Sequence, residues 1–339
     1  MNCLIHFLSE QCEHSGSTIK LQHCLPALEN CLLRLDLKAS VAIWDWALRT
    51  IIEHIINMDM PEIQELEGKE RLALEHDEKY SNLIYFVNEI ANLLDSLAKK
   101  IISFESEDKD RIVKLKGCVL WSCIQILARP LAYLNISTGK SDFLTSAMKV
   151  CSKLNMIVSG FCSNFVHLVN LKDFCLNFSN NKAWAEDDVE ERKKQLYYWS
   201  FGIGTLFYYN FQSGQFPFPM CYDPLHIFQV VLHIILNMLD FVKGLKPLPY
   251  FRHEKALMLC QALSSRISKN TVPDDIFEDE GHTKLVEKLH QIIIFHDMEC
   301  VRKLAYETYN QYFLGKNRSF AIIFWELDLS IGNSELQSK

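Results

Sequence analysis

From Leu225 to Val242 the chain is apolar at most positions, and the exceptions His226, Gln229, His233, Asn237 and Asp240 recur at steps of three and four. Such steps put the polar groups on one stripe of an α-helix and leave the rest of the cylinder for burial. The run opens on a turn punctuated by Pro217, Pro219 and Pro224. Leu285, Val286, Leu289, Ile292 and Ile293 repeat the spacing, as do Val301, Leu304, Ala305, Thr308 and Tyr312. Helices with so little polar surface must stack on neighbours, and stacking of helix pairs builds solenoids.

The same pattern upstream predicts helices over 18–35, 39–58, 80–104, 111–127, 141–165 and 190–211. Pro26 should bend or restart the first, because a proline inside a helix removes a backbone donor. In the second, Asp45, Arg49, Glu53 and Asn57 form a narrow wet side opposite Trp44, Leu48, Ile51, Ile52 and Ile55. The third carries Leu83, Ile84, Val87, Ile90, Ala91, Leu94, Leu97 and Ala98 on one face and ends in Lys99 and Lys100, which suit a helix C-terminus. Pro130 should stop the fourth, Ser141 and Asp142 should start the fifth, and Gly160 is its weak point.

Polar stretches separate these runs. Residues 61–79 and 105–111 are charged, and 179–189 holds Asn180, Asn181, Glu186, Asp187 and Asp188. No alternating run of strand length survives, so the expected fold class is all-α, with roughly a dozen helices. Helix starts recur at about 30 to 45 residues without an alignable repeat, as in an irregular HEAT/armadillo-like helical repeat solenoid. The expected organisation is N-terminal repeats over 1–178, an acidic polar loop over 179–189 and C-terminal repeats over 190–339.

Composition narrows the classes of function. At 339 residues and 49% apolar, the chain can bury a large core. A net charge of −7 disfavours nucleic acid, whose binding needs neutralised phosphates. Twelve cysteines are scattered with no CxxC pair, which fits reduced thiols and a cytoplasmic protein. The N-terminus lacks the basic lead and cleavage site of a signal peptide. The run 225–242 reaches the lower edge of membrane-spanning length, but its His, Gln, Asn and Asp residues would be costly in hydrocarbon. No membrane contact is expected.

Motifs for chemistry are thin. Thr138-Gly139-Lys140-Ser141 resembles the end of a phosphate-binding loop, but Leu134 stands where the pattern needs glycine, so it reads as a turn. Gly202-Ile203-Gly204 lies in a helical pattern, where close helix packing is the natural reading. His226 and His233 share a helix face, as partly buried structural histidines, and His290 and His296 have the same status. No cofactor, metal or catalytic group is expected. What remains is surface. Arg302, Lys303, Tyr306, Tyr309, Asn310, Gln311, Lys316 and Arg318 mix aromatic, amide and basic groups, and Tyr and Arg commonly anchor interfaces.

A family resemblance runs through the same stretch. Pro219, Met220, Pro224 and Leu225, the segment 253–267, the run Glu299-Cys300-Val301-Arg302-Lys303-Leu304-Ala305, and Gly315, Phe320, Ile323, Ile331 and Gly332 resemble the C-terminal part of the glomulin family. Upstream, 21–46, 110–134 with Leu115, Lys116, Cys118 and Arg129-Pro130-Leu131, and Trp184 with the acids of 186–191 resemble corresponding places, with the family's N-terminal portion shortened. The resemblance implies a non-catalytic HEAT-like protein. It would bind the RING-finger subunit of cullin-RING (SCF-type) ubiquitin ligases through its C-terminal repeats and block the ubiquitin-conjugating enzyme, thereby inhibiting ubiquitination. A monomer is expected. The alternative is a HEAT-like scaffold for an unrelated protein assembly.

Overall fold

The structure, a computed structural model, describes residues 18–58, 78–104, 108–136, 145–162, 169, 189–214, 222–240, 250–268 and 280–314. The helices among them are α1 (Thr18–Leu33), α2 (Leu37–Asn57), α3 (Glu78–Ser103), α4 (Lys109–Ala128), a 3-10 turn (Leu131–Tyr133), α5 (Ser146–Phe161), α6 (Val189–Ser213), α7 (Pro224–Leu239), α8 (Tyr250–Ser264), α9 (Glu280–Phe295) and α10 (Glu299–Leu314). No strand occurs among the described residues. The chain is all-α there.

Several helices start where a side chain can close the first turn. Asp36 Oδ1 accepts the Ala39 amide at 2.8 Å, Asp108 Oδ1 accepts from Asp110 at 3.1 Å, and Thr145 Oγ1 accepts from Met148 at 3.2 Å. These contacts satisfy amides that the helix itself leaves without partners. Ser141 and Asp142, the expected start of α5, lie outside the described residues; Thr145 caps that helix. Pro26 sits within α1, which runs through it, and the Asn30 amide donates to the Pro26 carbonyl at 2.9 Å. The expected restart does not occur.

Two compact units divide the chain: Met1–Met220 with Lys243–Arg252, and Cys221–Val242 with His253–Lys339. In the first, every residue of α4 from Gly117 to Ala128 except Trp121 is buried. A helix apolar all round requires neighbours on every side, and α4 packs against α2, α3, α5 and α6. The wider order is regular: α1 packs on α2 and α3, α3 on α4 and α5, and α5 on α6. Each of these helices thus meets its successor or the one after.

Polar and close-packed contacts fix this first unit. The Trp44 indole donates to the Leu32 carbonyl at 3.3 Å, while its ring is fully buried. A Cβ on Gly202 would stand 2.4 Å from the Ile124 carbonyl oxygen, so α6 approaches α4 where only glycine fits. The close packing expected of Gly202 is therefore present. Asn210 Nδ2 donates to Asn155 Oδ1 at 3.0 Å, joining α6 to α5. Arg252, 1% exposed, lays its guanidinium 4.3 Å from the Phe201 ring centroid and donates to the Tyr133 hydroxyl at 3.3 Å.

The second unit begins at Asp223, whose Oδ2 accepts the His226 amide at 3.2 Å, with Pro224 at the first helical position. Ile227, Phe228, Val231, Leu232, Ile234, Ile235, Met238 and Leu239 of α7 are buried. The predicted polar stripe faces outward: His226, Gln229 and His233 are exposed, Asn237 and Asp240 half-buried. Helix α9 packs on α7 and α10. At their junction Phe228 stacks with His282 and Tyr312, at 5.9 Å and 5.5 Å between ring centroids, and the Tyr312 hydroxyl hydrogen-bonds His282 Nδ1. Gln261 of α8 donates to Thr308 Oγ1 at 3.1 Å and its carbonyl accepts from Gln311 at 3.0 Å. Lys288 pairs with Asp240.

The acidic loop expected to separate two halves lies almost wholly outside the described residues. Helix α6, which follows it, packs within the first unit. The division between units falls after α6.

Candidate partner-binding face

Helix α10 starts at Glu299, whose carboxylate pairs with Lys303 one turn later at 2.6 Å and suits the positive end of the helix dipole. That pairing holds the Glu299 carboxyl below its ordinary value. Val301, Ala305, Thr308 and Tyr312 are buried and make one stripe. A helix turns about 100° per residue, so Lys303, Tyr306 and Asn310 lie on the opposite side, with Arg302 and Tyr309 at its edge. Three of the eight candidate residues are brought together there and two border them. Gln311 turns to a flank, where its side-chain amide donates to the Gln261 carbonyl. Lys316 and Arg318 lie outside the described residues.

The members of this face are not equally free. Arg302 is half-buried, and one of its guanidinium nitrogens donates to the His296 carbonyl at 2.5 Å and the Asp297 carbonyl at 3.0 Å. It locks the α9 to α10 turn. Tyr309 is half-buried against His290, with ring centroids 4.9 Å apart. Lys303 is exposed and Tyr306 is 57% exposed, which makes Tyr306 the more available of the two tyrosines.

Two residues of this region escaped the sequence reading. Ile294 and Phe295, on the last turn of α9, are 65% and 73% exposed and directly precede the carbonyls that Arg302 holds. The signal was available. Leu285, Leu289 and Ile292 define the buried stripe, and the two positions after Ile293 fall off it.

The histidines divide. His226 and His233 are exposed, not partly buried as expected; their polar stripe is the solvent face of α7. His296 is buried, and burial holds its imidazole below the ordinary value. Among the described residues no three His, Cys, Asp or Glu side chains are placed to hold a metal ion. The described cysteines are free thiols; Cys118, Cys123, Cys151, Cys162 and Cys260 are buried and Cys24, Cys31 and Cys300 half-buried. Burial pushes the Cys162 thiol up to about 12, and Cys118 is pushed up by burial and then by the Asp45 charge. Such thiols are poor nucleophiles.

An open groove of about 400 Å³ runs beside α3 and α5, lined by Tyr80, Ile84, Tyr85, Asn88, Ser146 and Lys149 among others. It brings no acid and base together. The phosphate-loop-like residues 138–140 and Ser141 lie outside the described residues, and Gly202-Ile203-Gly204 lies within α6. Among the described residues no helix is long and apolar enough to cross a membrane; α7 has 16 residues. Neither a protein-family model nor a curated protein matches the chain.

Proposed function

We propose that this chain is a non-catalytic, cytoplasmic HEAT/armadillo-like repeat protein that offers the outer side of α10 to a protein partner. The packing of α1 to α6 on successors and next-but-one neighbours supports the solenoid reading, since stacked helix pairs give that order. The partner is the RING-finger subunit of a cullin-RING ubiquitin ligase, as the resemblance to glomulins over 219–332 implies. Binding there would deny the same RING surface to the ubiquitin-conjugating enzyme and so inhibit ubiquitination.

One observation carries the binding reading: Lys303, Tyr306 and Asn310 lie on the side of α10 opposite its buried stripe, with Arg302 and Tyr309 at the edge. The side that a partner would meet holds an exposed tyrosine beside a lysine, a combination of apolar body and directional donors. Mixing the full-length protein with a cullin and its RING subunit tests the reading. Complex formation at about one to one, with slower ubiquitin chain formation, supports it. Complex formation with undiminished access for the conjugating enzyme refutes occlusion, and absence of binding favours a scaffold for another assembly.

A further inference from the structure

The turn joining α9 to α10 is built on a neutral imidazole. His296 is 6% exposed, and its Nδ1 accepts the Met298 amide at 3.1 Å. Its carbonyl is one of the two that Arg302 holds. An imidazole that accepts at Nδ1 carries its proton on Nε2, so a second proton must enter at Nδ1. Protonation therefore converts the acceptor into a donor aimed at another donor. The Met298 hydrogen bond cannot survive it.

The charged and titratable groups around the ring come from three places. From α8, His253, itself fully buried, meets the ring edge to face with centroids 5.3 Å apart. From α10, the Arg302 guanidinium opposes a second positive charge, whereas Asp297 in the turn favours one. Burial and Arg302 together outweigh the pull of Asp297 and of the Met298 backbone toward the charged ring.

We propose that this turn is an acid-sensitive latch: proton uptake at His296 breaks the Met298 contact and loosens the start of α10. The face that begins at Arg302 is then held in order at neutral pH and released on acidification. The latch belongs to the chain itself, so it stands apart from the identity of any partner. Because burial places the folded-state value below the ordinary imidazole value of about 6.5, the released turn binds the proton more readily. The stabilisation is complete above that ordinary value. It falls away as the pH drops below it, through the lowered folded-state value.

Amide hydrogen exchange of the full-length protein at about pH 7.5 and about pH 5.5, spanning the imidazole range and corrected for intrinsic rates, tests the latch. The amides of 298–302 should lose protection several-fold at the lower pH. His296→Asn, whose Oδ1 offers an acceptor at similar reach without titrating, should show no such loss. Protection unaffected by pH in the wild type, or the same loss in the variant, overturns the proposal. Should His296→Asn fail to fold, an NMR titration of the wild type decides: the His296 ring and the Met298 amide should share one midpoint below the ordinary imidazole value. A midpoint at or above that value, or a Met298 amide indifferent to it, overturns the latch.

Discussion

A methyl group added at Gly202 would meet the Ile124 carbonyl oxygen at 2.4 Å and the Ile124 side chain at 2.7 Å, whereas one added at Gly160 would meet open space. The two substitutions to alanine should therefore have opposite signs. Gly202→Ala forces α6 away from α4 and should destabilise the first unit by about 1–3 kcal/mol. Gly160→Ala restricts the unfolded chain inside a helix and should stabilise by about 0.4–1 kcal/mol. Urea midpoints of the two variants check this. At the core of the second unit, Tyr312→Phe removes the hydroxyl bonded to His282 and leaves a buried imidazole nitrogen without that contact. A loss of about 1–3 kcal/mol is expected, visible as a lower melting temperature with helix content unchanged. Neither the Tyr312–His282 bond nor the Arg252–Tyr133 bond was legible in the sequence. Their partners lie 30 and 119 residues apart, and pattern reading reports only which side of a helix a residue occupies.

Period and caps governed what could be read at the level of the helix. The stripes of α2 and α3 emerged as drawn: Trp44, Leu48, Ile51, Ile52 and Ile55, and Leu83 through Ala98 at their helical steps, are all buried. Gly202 was readable too, because a glycine in a helical pattern implies close approach. At Pro26 the restart does not occur, since α1 runs through it, and the Asn30 side chain donates to the Pro26 carbonyl. The start of α7 offers a clean test. Asp223→Ala deletes the acceptor of the His226 amide and should cost about 1 kcal/mol, with faster exchange of the first-turn amides. An unchanged exchange profile would mean that Pro224 alone sets the helix start.

For the molecule as a whole, the sequence conveyed the all-α class of the described residues, but not where the units part. Charge density drew the eye to 179–189, whereas the division follows contacts: α6 packs on α4 and α5, and 243–252 belongs with the first unit. That interleaving bears on how binding should be probed. Cutting the chain after Gly281 would remove nearly all of α9 and the whole of α10, and with them Leu285, Leu289, Val301 and Ala305 from the core of the second unit. Lost binding would then report unfolding as readily as a missing surface. Substitutions on the exposed side avoid this confusion.

The direct measurement is a titration of the RING subunit, in its cullin complex, with the full-length protein and its Tyr306→Ala and Lys303→Glu variants, each checked for unchanged helix content. Tyr306 is 57% exposed and Lys303 is exposed where it pairs with Glu299, so neither change removes a core side chain. The account predicts one-to-one binding by the wild type and weakening by about tenfold, or about 1.4 kcal/mol, for Tyr306→Ala, with a parallel loss of inhibition. Wild-type affinity in both variants, or no binding by the unaltered chain, would contradict it.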